Sequence, residues 1–80
     1  MELHEIYQMM VDENGTTIGN KGAGRFRFIP RIGEHVYVKE GEEDHICEVV
    51  DVRHTGTGDM EIFLYDLGYH GSFWRKPTLE

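Results

Sequence analysis

Cysteine, proline and positive charge are all scarce in this chain, and long apolar runs are missing. A single cysteine, Cys47, has no partner for an internal disulfide. Small secreted domains usually carry several cysteines, so a reducing, cytoplasmic setting is expected. No apolar run approaches the ~18 residues of a membrane-spanning helix. No charged segment followed by an apolar one marks a signal peptide near Met1. Eight Lys and Arg stand against fifteen Asp and Glu, for a net charge of −7. That balance disfavours nucleic acid and anionic membranes as partners, because their attraction for proteins is largely electrostatic.

What is present suits a small folded domain: 39% apolar residues, 11% aromatic residues and ten glycines in 80 residues. The length predicts one domain over residues 1–78, with 79–80 read as a vector-derived tail. A chain of this size buries about 60% of its unfolded surface and leaves little room for a deep catalytic cavity.

The charges are unevenly spread. Lys21, Arg25, Arg27 and Arg31 occupy a stretch without acids, whereas Glu40, Glu42, Glu43, Asp44, Glu48 and Asp51 occupy one without bases. This dipolar layout is suited to orienting a partner.

Short strands account for the apolar pattern. His4 to Val11 fits a helical face as well as a strand, but Asp12-Glu13-Asn14-Gly15 follows, and Asn-Gly is a strong hairpin signal. A strand–hairpin–strand is therefore predicted, continuing through Thr16-Thr17-Ile18. The glycine-rich stretch Gly19 to Gly24 is predicted to be a flexible loop. Arg25 to Ile29 alternates as a strand with its phenylalanines inward. Pro30 ends it, and Ile32-Gly33-Glu34 turns the chain into a further strand over Val36 to Lys39. After the acidic turn comes the longest strand, His45 to His54. Its alternation breaks at Val49-Val50, so a one-residue bulge would turn Cys47, Val49, Val50 and Val52 inward; the alternative is burial on both faces. Thr55 to Asp59 reads as a hairpin loop. Met60 to Leu67 reads as a strand apolar on both faces, leaving one face for a partner or a covering segment. Five or six short strands with turn signals about every ten residues predict an all-β fold, a small, strongly bent antiparallel barrel.

The corner Pro30-Arg31-Ile32-Gly33-Glu34-His35-Val36, followed by Cys47-Glu48-Val49-Val50-Asp51-Val52-Arg53-His54, resembles the proline, glycine and valine pattern of Src-homology-3-like small barrels. The resemblance covers roughly residues 25 to 67. It implies a barrel that binds rather than catalyses, of a kind found in many small bacterial and phage-encoded proteins. The Gly19 to Gly24 loop lacks the aromatic and acidic run of the peptide-binding members, so the resemblance does not extend to proline-rich peptides.

The candidate chemistry points the same way. Five histidines and Cys47 show no paired metal-ligand spacing, although His45 and Cys47 share a strand face, so no metal or other cofactor is expected. Cys47 is flanked by apolar residues, and a buried thiol is inert, so no catalysis is expected of it. Neither glycine loop opens a helix after a strand, as a phosphate loop would. The expected function is that of a non-enzymatic binding module. Its candidate contact residues are Lys21, Arg25, Arg27 and Arg31, which suit an acidic partner, and Tyr69, Phe73 and Trp74, which suit apolar anchoring; the alternative is that Trp74 caps the barrel's open end. A protein partner or self-association is favoured, and a nucleic-acid-binding barrel using the arginine face is the alternative.

Overall fold

The computed structural model describes residues 2–69. Five strands follow one another: β1 (His4–Val11), β2 (Thr17–Phe26), β3 (His35–Glu40), β4 (Glu43–His54) and β5 (Met60–Tyr69). They form one sheet in the order β2-β1-β5-β4-β3, with no helix among the described residues. The sheet curls through 216° into a half-barrel. The all-β, strongly bent architecture is therefore as expected, and the hairpins β1–β2, β3–β4 and β4–β5 are antiparallel. One pair is not: β1 and β5 run parallel from Tyr7↔Glu61 to Val11↔Tyr65. No local turn signal announces such a pair, because almost the whole chain lies between its two strands.

Two hairpin turns share one construction. In the first, Gly15 N–H donates to the Asp12 carbonyl and Gly15 takes φ 83°. The Asp12 carboxylate accepts from the N–H groups of Asn14 and Thr16, at 2.8 and 2.9 Å. In the second, Thr55 replaces Asp12 and Gly58 replaces Gly15. The Thr55 Oγ1 accepts from Asp59 N–H at 3.2 Å, and Gly58 has φ 96°. Asn14 does not take positive φ, so Asn14-Gly15 is a three-residue turn ending in a left-handed glycine and not the two-residue form.

The core fills the inner face. It consists of Ile6 and Met10 from β1, Val38 from β3, Cys47 and Val49 from β4, and Ile62 and Leu64 from β5. Phe26, Val36, Val52 and Met60 close its margins.

Several expectations need correction. Gly19 to Gly24 is not a loop but the middle of edge strand β2. Two register shifts let it follow the curl: Gln8 faces both Lys21 and Gly22, and Ile18 is an extra residue between Gly19 and Thr17. The strand after it ends at Phe26 rather than Ile29. Only Phe26 packs on the core, while Phe28 is 78% exposed. The reason lies in Pro30. It is buried where the chain leaves β2 at one sheet edge and crosses to β3 at the other. The bulge in β4 exists, with Val50 as the extra residue between Val49↔Leu64 and Asp51↔Phe63. It keeps Cys47, Val49 and Val52 on the core side, but Val50 points out and is 39% exposed. Beside it, consecutive Ile46 and Cys47 are both buried, so β4 is covered on both faces at that point.

Candidate functional site

Three features of the half-barrel present chemistry. The first is the crossover, residues 27–34. Arg31-Ile32-Gly33-Glu34 makes its turn: Glu34 N–H donates to the Arg31 carbonyl at 3.0 Å, and Gly33 takes φ 96° at the third position. Glu34 also folds its carboxylate back onto Arg31, accepting from the backbone N–H at 2.9 Å and approaching Nε at 3.5 Å. Gly33 N–H donates to the Val49 carbonyl and Val49 N–H to that of Glu34, which anchors the crossover to β4. Ile32 stands out from this turn, 65% exposed; earlier in the crossover Phe28 is 78% exposed and Ile29 half-exposed. Phe28, Ile29, Arg31 and Glu34 line an open hollow of about 540 Å³.

The second is a polar mouth at the other end of the core. Lys21 on β2 and Glu40 on β3 form an ion pair across the gap between the two sheet edges, which do not pair with each other. Beside it, His45 Nδ1 lies 2.7 Å from Asp66 Oδ2, and its Nε2 lies 3.7 Å from Glu43. The Asp66 hydrogen bond, reinforced by the charges of Asp66, Glu40 and Glu43, raises the His45 pKa against the opposing effect of burial. Beneath lies Cys47, fully buried, whose thiol is pushed up to about 12 by burial and by the acids Asp66 and Glu40. A thiol held protonated in this way is no nucleophile at neutral pH. Among the described residues, no three His, Cys, Asp or Glu side chains come together as a metal-binding group.

The third is a groove on the outer face, which the sequence did not reveal. Two adjoining cavities, of about 380 and 260 Å³, share Val11, Gly15 and Val50. Tyr65 extends the floor of the first and Phe63 that of the second. Arg53 lies over the Phe63 ring, 4.4 Å from its centre, and is held there by a 2.8 Å hydrogen bond to Asp51. Asp12 and Glu13 complete the rim. The groove exists because the hairpin turn brings Gly15 beside the β4 bulge, and a bulge is visible only as a broken alternation.

The expected basic residues separate into two places. Lys21 belongs to the mouth. Arg25, opposite Glu5 in the β1–β2 ladder, Arg27 and Arg31 are exposed at and around the crossover. Of these three, only Arg31 forms an ion pair among the described residues. Tyr69 is the last residue of β5, paired with His45 through its backbone. Phe73 and Trp74 lie outside the described residues. The apolar tips Phe28 and Ile32 were missed as surface groups. Pro30 between them signals that a strand ends, but not that it stops as early as Phe26 and leaves Phe28 outside it.

Comparison with protein-family models, curated proteins and solved structures gives no match.

Proposed function

We propose that this protein is a non-enzymatic interaction module, and that its contact surface is the crossover, with Arg25, Arg27 and Arg31 set around Phe28, Ile29 and Ile32. One observation carries this reading: a phenylalanine that is 78% exposed, in the crossover between Arg27 and Arg31 and just before the turn that anchors the crossover to β4. Large aromatic groups with arginine neighbours are the usual anchors of protein interfaces. Scattered apolar residues on a surface need no explanation, but three exposed within five residues of one crossover do. The partner is a protein surface with an apolar recess and an acidic border. The inert thiol supports a binding role over a catalytic one. The reading retains a cytoplasmic setting and a general likeness to Src-homology-3-like small barrels, in a protein of bacterial or mobile-element origin.

The test is a titration of the isotope-labelled protein with an acidic amphipathic peptide, followed by amide shifts. Shifts at residues 25–34 that weaken with salt and vanish in Phe28→Ser support the reading. No shift there at millimolar peptide overturns it.

Phe28 beside Arg27 and Arg31 also favours a second reading, a nucleic-acid-binding barrel that stacks a base on the ring. It requires oligonucleotide binding that falls steeply with salt and is lost in Arg27→Glu with Arg31→Glu. The net charge of −7 weighs against it.

A further inference from the structure

We infer that the chain carries both halves of one joint: the crossover of one molecule seats in the outer groove of a second copy. The inference rests on the crossover being a contact surface, and it names what the crossover contacts. The two surfaces are complementary in apolar character and in charge. The crossover projects Phe28 and Ile29 between Arg27 and Arg31. The groove offers an apolar floor of Val11, Val50 and Tyr65, bordered by Asp12, Glu13 and Asp51. Among the described residues the groove's cation is Arg53, which is tied to Asp51 and rests on Phe63, so that the Asp12 and Glu13 side of the border is acidic.

The two surfaces share no residue. One copy's crossover in another's groove therefore leaves a free groove on the first and a free crossover on the second. Such a head-to-tail contact adds further copies and stops only if the ring closes. Association should grow with protein concentration until a ring closes. Added salt should weaken it, because rim charges act through screened attraction.

Complementation between two broken variants tests the joint. Phe28→Ser removes the knob and leaves the groove. Val50→Asp sets a charge on the groove floor and leaves the knob. Val50 is exposed at a bulge, so the fold should tolerate the change; Glu13→Lys is a second groove variant should it not. Molar mass is measured by sedimentation from micromolar to millimolar protein. Each variant alone should associate at least ~10-fold more weakly than the parent, the usual effect of losing an interface anchor. Mixed, they should form one 1:1 pair and nothing larger, because the only intact joint uses the knob of one and the groove of the other. A parent that stays monomeric at millimolar concentration overturns the inference, as does a mixture that gains no mass. If the parent is monomeric but the acidic peptide still shifts residues 25–34, only the self-contact fails. If neither occurs, the contact-surface reading fails with it.

Discussion

Cys47 and His45 are two residues apart on one strand and differ sharply in chemistry. Cys47 is fully buried with its thiol pushed up to about 12, so thiol reagents should modify it only when the sheet opens. The expected result is slow labelling in native buffer at neutral pH and fast labelling in denaturant; comparably fast labelling in both would contradict the burial. His45 has its pKa raised by Asp66, so its proton is held more tightly in the folded state than in the unfolded chain. Its stabilising contribution is full below the ordinary value of 6.5 and is lost as pH rises through the raised value. Urea midpoints measured between about pH 6 and pH 8 should fall more for the parent than for His45→Asn. An equal fall would show that the Asp66 contact adds nothing. The sequence placed His45 and Cys47 on one face, as observed. It did not show Asp66 or Glu40, because those neighbours come from other strands.

Among the elements, the hairpin turns were the most legible and the sheet edge the least. Turn residues act on their own backbone, so Asp12 to Gly15 and Thr55 to Asp59 were readable from local sequence alone. Asp12→Ala removes two hydrogen bonds at an exposed turn and should cost about 1 kcal/mol in a denaturant melt, with Asp12→Asn recovering most of it. No change in either variant would mean that the turn holds without its carboxylate. The middle of edge strand β2, Gly19 to Gly24, reads as a loop because glycine is a poor strand former in isolation. Its partner β1 overrides that preference by offering a ladder, and the glycines admit the bulges that the curl needs. Gly24 also leaves room for its neighbours: a Cβ there would stand 2.7 Å from Gln8 Nε2 and 3.0 Å from the Phe26 ring. The crossover was misjudged for the opposite reason. Phe26 and Phe28 alternate as a strand does, but the tertiary path ends the strand between them.

At the scale of the whole molecule, one small core carries the fold. Ile6, Ile62 and Leu64 are completely buried at its centre. Leu64→Ala should cost ~2–5 kcal/mol, close to the whole stability of an 80-residue domain, and circular dichroism should show an unfolded chain at room temperature. A cooperative native melt in that variant would mean that the fold's stability exceeds the cost of losing Leu64 from its core. The fold class was legible because alternation and turn spacing recur along the chain. Closure was not, since it depends on how far the sheet curls and on which distant strands meet. The outer groove was hidden for the same reason, being built from a turn and a bulge far apart in sequence.

The parallel contact between β1 and β5 also determines how the molecule bears mechanical load. Pulling His4 and Tyr69 in opposite directions slides these two neighbouring strands along each other, so their hydrogen bonds share the force and yield together. Pulling His4 against Phe26, the open end of the first hairpin, peels bonds one at a time. The sheet should thus be stiff to tension applied between His4 and Tyr69 and soft to tension that opens the first hairpin.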